Sequence, residues 1–195
     1  MPRTETDLRS ALLRAAATVV ARSGVGEVSV RELARQAGVS HAAHRHHFAS
    51  RTGLLTALAA EGHRLLAAAL EHAAGESFLE VGVAYVRFAL DHPGHFAVMF
   101  TPEALDLDDT DLAAARSRTF AVLQGGVDAL ATRGRFEDAR AAVVAAWSLV
   151  HGFATLAANG NLAGAALIDG DDLLDLARTA AGMLYGSSPR GSDHA

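Results

Sequence analysis

The sequence predicts an all-α protein in which an N-terminal three-helix helix-turn-helix domain is followed by a larger helical domain. Half of its 195 residues are hydrophobic, and alanine, the strongest helix former, dominates them. Apolar residues recur at helical spacing along most of the chain, without the strict alternation of a half-buried strand. Glycine and proline interrupt this pattern at points typical of helix ends.

The first two helices are predicted from their ends and their apolar faces. Residues 5–23 place arginine at helical spacing among leucine, alanine and valine, and Gly24 follows as a stop signal. Ser29 and Glu32 form an S-x-x-E capping box that predicts the start of a second, short helix. The buried face of this helix is expected to consist of Val30, Leu33 and Ala34.

A turn and a further short helix complete the predicted head. Gly38 can adopt the positive φ of a tight turn, and Ser40 can cap the helix after it. Phe48 follows that helix and is expected to hold it against the core. Two short helices joined by a turn with glycine are the helix-turn-helix arrangement.

The remainder of the chain predicts a helical body. Ser50 can cap a long helix whose apolar set is Leu54, Leu55, Leu58, Leu65, Leu66 and Leu70. The predicted helices are 51–74, 77–91, a short one after the Pro93-Gly94 break, 110–132, 137–158 and 171–185. The domain boundaries follow as 1–50 for the head, 51–186 for the body and 187–195 for a tail that is expected to be disordered.

Charge divides the chain in the same way. Residues 1–51 carry eight arginines and four acidic residues, a net charge of +4, whereas residues 52–195 carry nine arginines and eighteen acidic residues, a net charge of −9. A basic head suggests an anionic partner such as DNA. The alternative is a chance excess of arginine on a solvated face.

Several classes of protein are disfavoured by composition. Without cysteine there is no disulfide framework and no thiolate chemistry, which suits a reducing compartment. The N-terminal MPRTETDLRS lacks the apolar core of a signal peptide. No uninterrupted apolar stretch is expected to be long enough to span a membrane. We therefore expect a soluble, cytoplasmic protein.

Residues 38–48, GVSHAAHRHHF, concentrate four histidines and one arginine between His41 and His47. Histidine is the commonest metal ligand, but this segment has no cysteine or acidic residue to complete a site. No nucleophile motif or carboxylate pair accompanies the histidines, so catalysis is less favoured still. We predict no metal site, no cofactor and no catalytic residues, and we favour contact with nucleic acid; an enzyme that uses these histidines is a rival hypothesis.

Two stretches carry a family resemblance. The run SVRELARQAGVSHAAHRHHFASRTGLLTAL resembles the DNA-binding domain of TetR-family transcriptional regulators, without a gap. The match runs through Ser29, Leu33-Ala34, Ala37 to Ser40, His47-Phe48, Arg51 and Leu54-Leu55. Further along, YVRFALDHPGHFAVMF and WSLVHGF resemble a subgroup whose C-terminal domain is named for a Trp-His-Gly motif, here Trp147, His151 and Gly152.

The resemblance implies a ligand-responsive regulator, most simply a repressor, that binds a palindromic double-stranded DNA operator as a homodimer. A small molecule in the C-terminal domain would release the operator. Symmetric pairing suits such a protein because one recognition helix reads few base pairs, and a dimer reads two half-sites about one DNA turn apart. The alternative is a small-molecule-binding helical protein with a degraded DNA-binding head.

The DNA-contacting residues are predicted from the caps and from the resemblance. Ser29 and Ser40 begin helices whose N-termini can face phosphates, although each could serve as a cap alone. Arg51 matches the family's phosphate clamp, and a cation at a helix N-terminus needs such an anion to offset the helix dipole. The full predicted set is Ser29, Arg31, Ser40, His41, Ala42, His44, Arg45, His47 and Arg51.

His44 and Arg45 depart from the family pattern. Members comparable to this chain usually carry tyrosine where Arg45 stands, and often proline or an apolar residue where His44 stands. Arginine can keep an anion contact through its charge. The pair therefore either changes the DNA sequence that is read or weakens DNA binding.

Aromatic residues at helical spacing in the body predict an effector site. Tyr85, Phe88 and His92 share one helix face, while Trp147 and His151 are four residues apart on another. The predicted set is Tyr85, Phe88, His92, Phe96, Met99, Phe100, Trp147 and His151. With no charged residue among them, an apolar or weakly polar ligand is expected. The alternative for each residue is an ordinary core position.

A dimer interface is predicted on the last two long helices. Leu149, Phe153 and Leu156 lie on the face opposite Trp147, and the final helix supplies a second apolar row. The predicted set is Leu149, Phe153, Leu156, Leu173, Leu176, Ala180 and Leu184, which suits a four-helix interface between two subunits. The alternative is a core face within one chain.

Overall fold

The computed structural model describes residues 5–36, 48–132, 134, 136–164 and 173–185. Within these residues the secondary structure is helical, with no strand, so the all-α prediction is confirmed. The predicted recognition helix falls in residues 37–47 and lies outside the described residues.

The observed helices begin and end within two residues of the predicted ones. They are α1 (Glu5–Ser23), α2 (Val30–Gln36), α3 (Arg51–Ala74), α4 (Phe78–Asp91), α5 (Pro93–Met99), α6 (Thr110–Ala131), α7 (Ala139–Ala158), α8 (Asn161–Gly164) and α9 (Leu173–Tyr185). Single turns of 3-10 helix occupy Val25–Glu27 and Pro102–Ala104. The one-turn helix α8 was not predicted from the sequence.

Polar residues just before the helices account for where they begin. The Ser29 hydroxyl accepts a hydrogen bond from the backbone N–H of Glu32 at 3.5 Å, at the start of α2. The Ser50 hydroxyl accepts from Gly53 N–H at 2.9 Å and caps α3 as predicted. Asp138 caps α7 through the N–H groups of its first turn. Each cap satisfies donors that a helix leaves without partners.

The described chain divides into two compact units. The first lies within Met1–Ala68 and Phe88–Ala121, and the second within Ala69–Arg87 and Val122–Ala195. The first unit includes parts of both predicted domains. The division at residue 50 therefore stays a prediction.

In the first unit, α1 packs against α2 and α5. The core residues of this unit from α1, α2 and α3 include Leu12, Leu13, Leu33, Leu54, Leu55 and Leu58. Leu65, which was expected to be buried with the other leucines of α3, is 41% exposed. A neighbouring position on the same helix, His63, is buried instead.

In the second unit, small residues allow helices to approach closely. Val127 of α6 packs with Ala142, Val143 and Ala146 of α7. The Phe78 ring lies so close to Gly126 of α6 that a Cβ there would overlap it. Helix α9 packs against α7 and buries Ala177 and Ala181.

Helix α7 corrects one expectation from the sequence. By length and composition its 20 residues could cross a membrane, whereas no such stretch was expected. Only four of them, Ala142, Val143, Ala146 and Ala154, are buried in the single chain. The other residues of α7 are half-buried or exposed.

Candidate functional site

Six of the nine predicted DNA-contacting residues lie outside the described residues. They are Ser40, His41, Ala42, His44, Arg45 and His47. Ser29 and Arg31 are exposed at the beginning of α2. An exposed hydroxyl and an exposed guanidinium at a helix N-terminus can reach a phosphate.

Arg51 has a structural role that the sequence did not reveal. Its Nε donates to the carbonyl oxygen of Val28 at 3.1 Å, and its Nη2 donates to that of Val25 at 2.5 Å. These bonds tie the start of α3 to the segment before α2. They use two of the five guanidinium N–H groups, which leaves a phosphate contact chemically possible.

Two other arginines of the head contact protein groups. The Arg35 guanidinium donates to both carboxylate oxygens of Glu32, at 2.9 and 2.6 Å, and this interaction raises the pKa of Arg35. The Arg9 guanidinium lies 5.5 Å from the centre of the Phe48 ring, over its face. Phe48 is buried, as expected, and the cation–π contact adds to its packing.

The predicted effector residues are divided between the two units. Tyr85, Trp147 and His151 belong to the second unit, whereas Phe88, His92, Phe96, Met99 and Phe100 belong to the first. Each set is therefore described separately.

In the second unit, a hydrogen bond joins two of these side chains. The Tyr85 hydroxyl of α4 lies 2.9 Å from His151 Nδ1 of α7. The phenol can donate to Nδ1 when that nitrogen is unprotonated. The Trp147 ring lies beside the pair, with its centre 6.0 Å from that of His151.

Burial governs the protonation of this pair. Tyr85 is 6% exposed, and burial raises the pKa of its hydroxyl, an effect that the hydrogen bond from Trp147 partly opposes. Burial also lowers the pKa of His151. Both side chains are therefore neutral near pH 7, and they present polar atoms within a mainly apolar surrounding.

In the first unit, aromatic rings gather along the end of α4 and the length of α5. The Phe88 and His92 ring centres are 4.9 Å apart, and those of Phe96 and Phe100 are 5.1 Å apart. Phe88, Phe96 and Met99 are buried. These contacts are those of a packed core, and they are equally compatible with the lining of an apolar site.

His63 of α3 is a polar core residue that the sequence analysis missed. It is 6% exposed, and its Nε2 has no hydrogen-bond partner among the residues that the structure describes. Burial, reinforced by the positive charge of Arg116, lowers its pKa to about 4. A signal was available, because His63 lies three residues before Leu66 and eight after Leu55, on the buried face of the helix.

A second missed pair joins α3 to α5. His95 Nε2 lies 3.1 Å from a carboxylate oxygen of Glu61. Both side chains are partly buried, so this directed contact fixes α5 in addition to apolar packing. In the part of the chain that the structure describes, no three histidine or acidic residues are grouped so that they could hold a metal ion.

The predicted interface residues leave an apolar surface on α7 and α9. Leu156 is 44% exposed, and Leu149, Phe153, Leu173, Leu176 and Ala180 are half-buried. Val144, Trp147 and Met183 are further exposed apolar residues on these helices. The side chain of Leu184 lies outside the described atoms. Among the described residues, nothing outside its own helix turn lies within 4 Å of where a Cβ at Gly152 would stand, so close packing there does not require this glycine.

Two family models match most of the chain. A model for "Bacterial regulatory proteins, tetR family" matches residues 12–58, and one for "Tetracyclin repressor-like, C-terminal domain" matches residues 78–186. The first match includes α2, the predicted recognition segment and the beginning of α3. The second includes every residue that was predicted to contact an effector or a second subunit.

Solved structures give a consistent result. A protein of unknown function from Rhodococcus sp. RHA1 is 35% identical, with a TM-score of 0.74 over 91% of this chain and 95% of that one. The TetR-family regulator PfmR from Thermus thermophilus is 23% identical, with a TM-score of 0.68 over 91% and 99% of the two chains. The regulator FadR from Bacillus subtilis, solved with stearoyl-CoA, is 17% identical, with a TM-score of 0.66 over 92% and 99%. No curated protein matches the chain.

Proposed function

The chain belongs to the TetR family of bacterial regulatory proteins, and on that premise we propose that it is a repressor that binds a palindromic operator as a homodimer and is released by a small apolar molecule. Regulators of this family bind DNA and small-molecule effectors, act as dimers and are generally not enzymes. The predicted helix-turn-helix head and helical C-terminal domain are confirmed by the family matches. We also propose that the chain belongs to the Trp-His-Gly subgroup, through Trp147, His151 and Gly152.

The match of residues 12–58 to the family's DNA-binding model is the observation that carries this proposal. The net charge of +4 in residues 1–51 supports it, because DNA binding requires neutralisation of phosphates. Within the head, Arg31 and Ser29 are exposed and available for phosphate contact, and Arg51 retains unused N–H groups. In this proposal His41 and Ala42 supply base contacts, and Arg45 supplies a further phosphate contact.

For the effector, the hydrogen-bonded pair Tyr85 and His151, with Trp147 beside it, offers a few oriented polar atoms on an apolar background. Sites for small molecules commonly combine these two properties. The aromatic residues of α4 and α5 in the first unit offer a separate set of apolar contacts. Since Tyr85 and His151 are neutral near pH 7, a neutral and mainly apolar effector is favoured.

The apolar surface of α7 and α9 is proposed as the dimer interface. A soluble monomer rarely exposes a continuous apolar surface, and a homodimer would cover it with the same surface of a second copy. This proposal also accounts for the scarcity of buried residues on α7 within one chain. A membrane is the other environment that could cover it, but membership of a DNA-binding family favours the second copy.

The proposed mechanism is a shift between two populations of the dimer. DNA selects the form in which both heads reach their half-sites, and the effector selects a form in which they do not. The packing of α5 against α1 supports this coupling, since α1 belongs to the head and α5 carries the aromatic residues proposed to contact the effector. A change in the position of α5 would be passed on to α1 by direct contact.

Electrophoretic retardation of DNA that flanks the protein's own gene, at two salt concentrations, tests the proposal. Retardation that resists competitor DNA and weakens with salt, together with a symmetric footprint, is expected for the proposed regulator. Absence of retardation from a protein that is dimeric and still binds small molecules would instead indicate the alternative, a binding protein whose head has degraded. His44 and Arg45, which depart from the family pattern, are the residues that motivate this alternative.

A further inference from the structure

His63 has a hydrogen-bonding capacity that none of the described residues uses. The residue is 6% exposed, and within the described part of the chain its Nε2 is buried without a hydrogen-bond partner. Buried polar atoms are nearly always hydrogen-bonded, because the contact with water that they lose on folding must be replaced. In a protein that belongs to a family of ligand-responsive regulators, such an acceptor is a position where a ligand can supply the missing partner.

The neighbouring hydroxyl determines which ring nitrogen carries the proton. Thr119 Oγ1 of α6 lies 3.0 Å from the carbonyl oxygen of His63 and 3.1 Å from that of Ala115. Its single proton is donated to these carbonyls, so toward the ring the oxygen can only accept. It lies 3.4 Å from Nδ1 of His63, a long contact in which Nδ1 carries the hydrogen. In the neutral ring, Nε2 is then an unprotonated acceptor.

Charge and packing around the ring favour a neutral ligand. Burial and the positive charge of Arg116 lower the pKa of the imidazole and keep it neutral at pH 7. The Phe100 ring packs edge-on against it, with the centres 6.3 Å apart. Met99 lies close to the neighbouring Gly62, where a Cβ would come within 2.6 Å of its sulfur. An apolar environment of this kind disfavours an ion and accepts an aromatic or aliphatic group.

We propose that His63 Nε2 accepts a hydrogen bond from the effector, and that the effector is a neutral compound with a hydroxyl or N–H donor on an apolar body. The inference rests on the proposed function in one respect, namely that this domain takes a small-molecule effector. The inference specifies a hydrogen-bond donor on the effector, which the residues predicted from the sequence did not specify. It also makes Thr119 a positioning residue that selects the tautomer.

The first test observes the ring nitrogens of His63 by ¹⁵N NMR in the full-length dimer at pH 7. An unprotonated Nε2 and a protonated Nδ1 are expected in the free protein. A proton on Nε2 would overturn the proposal, because that nitrogen could not accept. This measurement requires no ligand and no variant.

The second test uses probes that differ only in the donor. Phenol and cyclohexanol carry a hydroxyl, and anisole and methoxycyclohexane are their matched ethers. At least one alcohol is expected to shift the Nε2 resonance and to bind about tenfold more tightly than its ether. The proposal is wrong if neither alcohol shifts the Nε2 resonance, which is the result expected when a buried water already occupies Nε2. It is also wrong if the ethers shift the resonance and bind as well as the alcohols.

Variants separate the role of the ring from that of its position. His63→Leu is expected to bind alcohol and ether equally, whereas His63→Gln, which keeps an acceptor, should retain part of the preference. Thr119→Val removes the group that holds the tautomer, so the preference for alcohols is expected to fall and a proton is expected on Nε2 in part of the molecules. An unchanged alcohol preference in His63→Leu would overturn the assignment.

DNA retardation by the same samples distinguishes the two possible failures. If the protein retards DNA but Nε2 is protonated, the proposed DNA-binding function is supported and His63 is not the acceptor. If alcohols alone shift the Nε2 resonance but the protein does not retard DNA, His63 is supported as a ligand-binding residue and the proposed DNA-binding function is wrong.

Discussion

The backbone of Gly94, in the first turn of α5, lies directly against the backbone of Ala17 in α1. A Cβ at Gly94 would overlap the Ala17 carbonyl oxygen, and backbone on both sides leaves no flexible side chain to move away. Glycine is therefore required for this contact between α1 and α5, two helices of the first unit. From the sequence, Pro93-Gly94 is recognisable only as a helix break.

Gly94→Ala is expected to lower the free energy of unfolding by about 1 to 3 kcal/mol, the usual cost of excess volume in a packed core. The matched control is Gly125→Ala in α6, where a Cβ meets no other atom. That change should instead stabilise the helix by about 0.5 to 1 kcal/mol. Urea unfolding measures both, and equal effects of the two substitutions would contradict the close contact.

Burial of His63 predicts a specific dependence of stability on pH. The pKa is lowered from 6.5 to about 4 in the folded protein, so the unfolded chain binds the proton more readily. Neutral His63 therefore contributes about 3 kcal/mol to the free energy of unfolding. This contribution is fully present above pH 6.5 and is lost as the pH falls towards 4. His63→Leu should remove this component, so the difference between the two unfolding curves isolates it from other titrating groups. If the free energies of unfolding of the wild type and His63→Leu change in parallel between about pH 7.5 and 4, His63 is not held neutral by burial.

The Tyr85–His151 hydrogen bond should appear as an energetic coupling between α4 and α7. Tyr85→Phe, His151→Leu and the double variant form a cycle in which the summed single effects exceed the double effect by about 1 kcal/mol. Chemical denaturation of the four proteins measures it. Additive effects would mean that the 2.9 Å contact contributes nothing to stability.

Leu156→Glu is expected to separate the proposed dimer, because a carboxylate would be buried against the partner. Leu65→Glu is the control, since Leu65 is 41% exposed, close to the 44% of Leu156, but lies on α3, which is not one of the proposed interface helices. Light scattering after size exclusion at micromolar concentration should give a monomer for the first and a dimer for the second. Retention of helical circular dichroism establishes that each variant is folded. A dimeric Leu156→Glu protein would contradict this interface.

Arg45→Ala should weaken binding to all DNA sequences alike and reduce the slope of log affinity against log salt by about one unit. This is the behaviour of a phosphate contact rather than a base contact. Arg140→Ala, an exposed arginine at the start of α7, should leave the slope unchanged. Loss of affinity confined to one base position would assign Arg45 to base recognition instead.

The sequence predicted the helices well because their signals are local. Ser29, Ser50 and the glycine stops act within one turn of the helix that they begin or end, so the bounds agree within two residues. The expectation that no apolar stretch is long enough to span a membrane does not hold for α7, by length and composition. Its apolar character is visible in the sequence, but whether the core, a second copy or lipid covers it depends on the assembled chain.

Residue types and spacing alone therefore determined the all-α architecture, the helix-turn-helix resemblance and the separation of a basic head from an acidic body. Tertiary structure decided which atoms meet across helices: Arg51 with the carbonyls of Val25 and Val28, Tyr85 with His151, and Thr119 with the ring of His63. The physical reason is that the two kinds of interaction act over different distances along the chain. Helix propensity and capping act over a few residues, whereas a hydrogen bond between residues 56 or 66 positions apart depends on how whole helices pack.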